Sequence, residues 1–195
     1  MTKDRIAKFF RIISIPPVVV SLLALCLYTA GRNVFANAAE AVLLVLFLGI
    51  IPSLAYPCQS LVPKWKSGGR EMQRKLAFVF SLIGYTAAVI WSFSMRKSAA
   101  LRTITMSYFL SVIILIIFNK LLKIRSSGHS CSATAPIALI FLYVGWTSAL
   151  PWIAFFAAVV WSSIYLKRHT AGQLFFGSVT CILSLCLSLL IVKLL

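Results

Sequence analysis

Two histidines, His129 and His169, are the residues of this chain best suited to acid–base or nucleophilic work. The first closes the run Lys120-Leu121-Leu122-Lys123-Ile124-Arg125-Ser126-Ser127-Gly128-His129. The second lies in Ser162-Ser163-Ile164-Tyr165-Leu166-Lys167-Arg168-His169-Thr170-Ala171-Gly172-Gln173. Each is set at the polar end of an apolar segment, among Lys, Arg, Ser and Gly. Two apolar runs separate them, and an even number of crossings returns the chain to the face it left. The two histidines are therefore expected to face one another. Cations neutralise an oxyanion, hydroxyls and backbone N–H groups bind its oxygens, and an imidazole transfers protons or attacks phosphorus. That residue set is suited to a phosphate ester. The bland alternative is that the basic residues only mark a membrane interface.

The elements that must position these loops are apolar. The chain has 195 residues, 61% of them hydrophobic, and a mean hydropathy of +0.99. A soluble domain of that size cannot cover so much apolar surface, so an all-α polytopic membrane bundle is expected. Only three acids occur, Asp4, Glu40 and Glu71. That excludes a carboxylate pair for glycoside hydrolysis and an acidic cluster for magnesium. The formal charge of +16 suits anionic lipid surfaces and anionic substrates. It argues against nucleic acid, because the charges lie between apolar segments rather than along one soluble face. Cys26, Cys58, Cys131, Cys181 and Cys186 have no metal-ligand spacing, so neither metal nor cofactor is expected.

The order of elements follows from hydropathy. Residues 1–11 form a basic amphipathic lead with Lys3, Arg5, Lys8 and Arg11. The first apolar run is Ile12–Ala30, with Pro16 and Pro17 tolerable in a first helical turn. Ala36-Asn37-Ala38 resembles a cleavage site, but the run is long for a signal peptide and reads as a retained span. Ala38–Val62 follows, broken by Pro52 and Pro57, with a kink or re-entrant end near Tyr56. A polar loop, 63–75, carries Lys64, Lys66, Arg70, Arg74 and Lys75. It reads as a solvated connection able to help cover a phosphate site. Leu76–Met95 and Thr103–Leu122 each hold about 20 residues, enough for the hydrocarbon layer. Ser130–Leu150, a sixth run opened by Pro151 and ending near Leu166, and Thr170–Leu195 complete about six to seven transmembrane helices in a single domain, 1–195.

Ser127-Gly128-His129, followed about 40 residues on by Ser162 and then His169 seven residues further, resembles the type 2 phosphatidic acid phosphatase superfamily. The family pattern is K-x6-R-P, then P-S-G-H, then S-R-x5-H-x3-D. The resemblance covers mainly residues 119–177, in the form of a compact bacterial-type member. Ser126 replaces the Pro of the second motif. Ser163 and Gln173 replace the Arg and Asp of the third, and no K-x6-R-P is present. Lys120, Lys123 and Arg125 run directly into Ser-Gly-His instead.

The resemblance implies a membrane phosphatase that forms a phosphohistidine without metal. In that scheme His169 attacks phosphorus and His129 protonates the leaving oxygen and later activates water. Gln173 accepts the N–H of the other His169 nitrogen and fixes its tautomer. Lys120, Lys123, Arg125, Ser127, Gly128, Ser162 and Arg168 hold the phosphoryl oxygens. Each has a plainer reading as well. Lys120 reads as a cation snorkelling from a helix end, Ser126 and Ser130 as caps, and Lys167 and Arg168 as interface anchors. Trp65, Trp152 and Trp161 read as interface markers. The expected substrate is a lipid mono- or diphosphate: phosphatidic acid, phosphatidylglycerophosphate or a polyprenyl phosphate or diphosphate. The rival is a lipid-phosphate binder or transporter on the same scaffold, favoured by Ser163.

Seven crossings would place the N-terminus, the 63–75 loop and both histidine loops on one face, with 14 of the 19 basic residues. Arg32, Arg96, Lys97, Arg102 and Lys193 would lie on the other. The positive-inside rule then puts the site on the cytoplasmic side of a multi-pass protein, taken as a bacterial cell-membrane one.

Overall fold

The structure, a computed structural model, describes residues 2–30 and 33–195, so Arg32 of the charge count lies outside the described residues. Among the described residues every regular element is helical, as the composition demands.

The amphipathic lead is helix α1, Lys3–Ile13. It ends at Ser14, and α2, Pro16–Thr29, starts on two prolines whose missing N–H groups would be unpaired there anyway. The two axes meet at 65°. The first apolar run is therefore not one rod: its beginning belongs to α1 and only Pro16–Thr29 continues inward. Helix α3, Ala38–Leu61, starts on Asn37, whose side chain accepts from the Glu40 N–H at 3.1 Å. Pro52 has no N–H to donate, and its ring crowds the carbonyl four residues back. The helix widens to a π-turn over Leu46–Ile50 just before it. The helix is interrupted again at Leu54, close to Tyr56, where a kink or re-entrant end is expected.

Residues 63–75 are not an open loop. They form a short helix, α4, Pro63–Lys66, and then the first turns of α5, Gly69–Ser94. The buried Gln59 side chain donates to the carbonyls of Gly69 (2.7 Å) and Trp65 (3.4 Å), holding this corner closed. Helix α6, Ala99–Leu121, is capped by Ser98 and ends in a π-turn over Ile117–Leu121. Helix α7 is Gly128–Tyr143, α8 is Trp146–Tyr165 and α9 is Ala171–Leu194. The break between the fifth and sixth runs lies at Gly145, not at Pro151. Gly145 takes φ 133°, a value that side-chain-bearing residues avoid, whereas Pro151 sits in an early turn of α8.

Five helices (α3, α5, α6, α8 and α9) are long and apolar enough to cross a membrane, and six if the bent pair α1–α2 counts as one span. Helix α7, at 16 residues, is shorter. It still runs from the His129 end to Tyr143, which lies near Thr103 at the start of α6. At this opposite end Glu40 pairs with Lys97 at 2.8 Å and Ser98 donates to the Val34 carbonyl at 2.6 Å. The product is an all-α polytopic membrane bundle.

Helices α7 and α9 pack side by side, with α6 against α9, α8 against α7 and α1 across α8. Their contact is unusually close at Gly177. A β-carbon there would overlap the Ser127 carbonyl oxygen and lie 2.9 Å from Ser130 Cβ. Hydroxyls zip the same seam. Ser130 donates to the Leu174 carbonyl (2.7 Å), Thr134 donates to Ser178 (2.9 Å), and Ser126 meets Thr180 (3.2 Å). Small residues let membrane helices approach this closely. Gly177→Ala should therefore destabilise the protein by about 1–3 kcal/mol, since the opposing atoms are backbone. Gly172→Ala, where a β-carbon would meet nothing within 4 Å, should leave the midpoint unchanged. Thermal unfolding of the two variants in detergent makes the comparison.

Candidate functional site

The seam between α7 and α9 fixes both histidine loops. The loop before α7 is folded by Asn119, whose side chain donates to Ser126 O at 3.1 Å and accepts from Ser126 N at 3.2 Å. Ser127 then caps α7, its Oγ accepting from Ser130 N at 3.3 Å, which starts the helix with His129 in its first turn. The Ser127 N–H donates to the Gln173 carbonyl at 3.0 Å. After α8 the chain turns on Lys167, at φ 51°, with the Arg168 and His169 N–H groups both directed to Ser163 O. Thr170 caps α9 by accepting from Gln173 N at 3.3 Å. Gln173 is thus tied on three sides: to its own helix cap, to the Ser127 backbone and, through its side chain, to His169.

Hydrogen-bond arithmetic assigns the ring nitrogens. Gln173 Oε1 is an acceptor 3.1 Å from His169 Nδ1, so Nδ1 carries the proton and Nε2 keeps the lone pair. His129 Nε2 lies 2.8 Å from Ser14 Oγ. That hydroxyl has one proton, and it is directed to the Arg11 carbonyl at 3.0 Å. His129 therefore donates from Nε2, and Nδ1 remains to take or give a proton. Ser14 is buried in the corner between α1 and α2, so the first helices of the chain hold the His129 ring.

Both rings line a cavity of about 720 Å³ that runs from this end into the bundle. Its mouth carries five arginines, Arg11, Arg70, Arg74, Arg125 and Arg168. Of the nominated residues, Arg125, Gly128, His129, Arg168 and His169 line it, and Gln173 reaches it through His169. Lys120 and Lys123 are exposed and are not among its lining residues. Ser127 is occupied as the α7 cap. Ser162 is buried and donates to Val159 O at 2.9 Å, while its neighbour Ser163 lines the cavity.

Arg11, Arg70, Arg74 and Ser14 were not nominated. A signal for two of them exists: Arg70, Arg74, Ala77, Phe78, Ser81 and Tyr85 repeat at helical spacing, and all six line the cavity from one face of α5. The three acids stand elsewhere or are engaged. Asp4 accepts from Tyr165 OH (2.9 Å), Glu40 is at the opposite end, and Glu71, at the rim, pairs with Lys75 (2.8 Å). The described residues contain no group of three His, Cys, Asp or Glu side chains spaced for a metal ion.

Desolvation lowers the His169 pKa below its ordinary 6.5, Gln173 opposes the shift, and the charges of Arg74 and Arg11 add to it. The neutral form of the ring therefore prevails at neutral pH. Comparison of the chain with protein-family models, curated proteins and solved structures finds no match in any of the three.

The opposing influences on His169 give a signed prediction. Arg74→Gln removes a positive charge and should raise its pKa. Gln173→Leu removes the group that favours the imidazolium and should lower it. Ring-carbon NMR titration of isotopically labelled histidine in both variants reads the two directions without any activity assay.

Proposed function

We propose that this chain is a membrane phosphatase of the type 2 phosphatidic acid phosphatase kind, hydrolysing a lipid mono- or diphosphate through a phosphohistidine. The observation that carries the reading is His169. Its Nδ1–H is held by Gln173, its Nε2 is free, and it stands with His129 in a cavity rimmed by five arginines. An arginine-lined mouth with no unpaired carboxylate suits a phosphate head group. The interior of the bundle suits the tail of a lipid.

In this scheme His169 Nε2 attacks phosphorus as the P–O bond to the lipid alcohol breaks. With substrate bound, the anionic head group offsets the arginine charge, so that His129 takes up a proton at Nδ1 and gives it to the leaving oxygen. The neutral His129 then takes a proton from a water that attacks the phosphoimidazole, and phosphate leaves with His169 restored. The arginines balance charge that spreads over the equatorial oxygens. Because Gln173 is neutral, it orients His169 without offsetting an imidazolium charge. The reaction asks nothing of the three acids.

A second reading is a binder or transporter of lipid phosphates on the same scaffold. Ser163 favours it. This buried cavity residue stands where the resembled family has an arginine.

His169→Ala should lower phosphate release from a panel of lipid phosphates by about 10⁴-fold, with lipid binding retained. Wild-type turnover should persist in EDTA and should trap acid-labile phosphate on the protein. A His169→Ala protein active at near wild-type rate would refute the nucleophile. Tight binding with no turnover in the wild type would favour the second reading.

The basic end, with the N-terminal helix, the α4–α5 corner and both histidine loops, is assigned to the cytoplasmic side by the positive-inside rule. A single cysteine at exposed Met95 should then react with a membrane-impermeant reagent in intact cells, and one at exposed Ser67 only after permeabilisation. The reverse pattern would invert the assignment. Ser98 is a poor site for this probe because it caps α6.

A further inference from the structure

The cavity does not end at its basic mouth. It continues between α5, α6, α7 and α9 to a floor lined by Tyr85, Tyr108, Ser107, Cys181 and Ser184. The hydroxyls here are mostly spoken for: Ser184 donates to Cys181 O at 2.8 Å and lies 3.5 Å from Ser107 Oγ. Nearer the mouth, Ser111 donates to Tyr108 O at 2.7 Å.

Tyr108 is different. It is 5% exposed, and its hydroxyl is one of two buried side-chain polar atoms that lack a hydrogen-bond partner among the described residues. The other, Arg102 Nε, does not line this cavity. The Tyr108 ring cannot readily swing to find a partner, because Tyr85 packs edge-on against it at 5.5 Å between centroids. An orphaned hydroxyl in a protein interior is a cost that a native fold ordinarily avoids.

Its depth can be placed. Leu115 Cδ1 stands 3.6 Å from where a β-carbon of Gly128 would be, so Leu115 is level with the start of α7 and His129. Tyr108 is seven residues earlier on α6, about 10 Å further into the bundle. A ligand whose phosphate rests on the histidines would bring the atoms roughly seven or eight bonds down its tail to this hydroxyl.

We propose that the floor of the cavity is a second, polar subsite, in which Tyr108 OH donates a hydrogen bond to an acceptor carried on the tail side of the ligand. An ester carbonyl is the acceptor a membrane lipid carries nearest its phosphate. This rests on the phosphate reading of the mouth. It adds a discrimination that the arginines cannot make: an ester-linked tail pairs the hydroxyl, whereas a purely hydrocarbon tail leaves it orphaned. A hydrogen bond of ordinary net strength corresponds to about five- to ten-fold in affinity.

The test compares a short-chain diacylglycerol phosphate with its diether analogue, which has equal length and no carbonyls. The full chain in detergent is used as wild type and Tyr108→Phe, and both binding by calorimetry and phosphate release are measured. The wild type should bind the diester about five- to ten-fold more tightly. Tyr108→Phe should erase that ratio by weakening the diester alone. Its melting temperature should stay level or rise, because the ring contact with Tyr85 survives and no protein bond is lost. Equal binding of the two ligands by the wild type, or a ratio that persists in Tyr108→Phe, would overturn the subsite. Discrimination in binding without phosphate release would retain the subsite while refuting the phosphatase. Binding of neither ligand would overturn both.

Discussion

The close approach of α7 and α9 at Gly177 is the constraint on which the site depends. Its absent side chain lets the backbone of α9 rest on the Ser127 carbonyl. Both histidine loops lie close to that contact along the chain. Ser127 N is bonded to Gln173 O, and Gln173 orients His169. Ser127 also caps the helix that begins with His129. A single seam therefore sets the separation of two rings that are 40 positions apart in the chain. The seam is polar as well as tight, and every hydroxyl in it has a partner. That matters in an interior where an unpaired hydroxyl is costly.

The arginines are arranged by a different device. They come from α1, from the first turns of α5 and from the two histidine loops, so no single element supplies the charge at the mouth. Five guanidiniums around one opening repel one another in the absence of an anion. Nearby carboxylates offer little relief, because Glu71 is engaged with Lys75. An anion at this opening would offset a repulsion the fold has built in. The same positive field discourages protonation of His169.

The broad architecture was legible because apolar runs of about 20 residues admit few alternatives in a bilayer. The meeting of the histidine loops followed from counting crossings. What could not be read was local. Pro151 looked like a boundary because proline breaks helices in water, yet it lies inside α8, and a membrane helix tolerates proline where its surroundings satisfy the freed carbonyl. The real boundary was marked by the φ of Gly145. Lys120 and Lys123 were nominated for their charge and closeness in sequence to His129. The π-turn ending α6 and the positive φ of Lys123 instead leave them exposed. Arg70 and Arg74 were read as part of a loop, and only when that loop proved helical did their four-residue spacing place them on one face with Tyr85. Ser14 carried no signal at all, since its partner lies 115 residues away.

That same distance has a consequence for biogenesis. The α1–α2 corner leaves the ribosome long before the loop that carries His129. At about 5–20 residues per second the interval is on the order of 6 to 23 seconds. Through it the early hairpin must wait in the bilayer with the Ser14 hydroxyl lacking its imidazole. Helix α9 then brings Gln173 and closes the seam. A nascent chain halted before residue 173 holds both histidines but lacks the groups that orient the second, so the pair is arranged only once α9 has emerged.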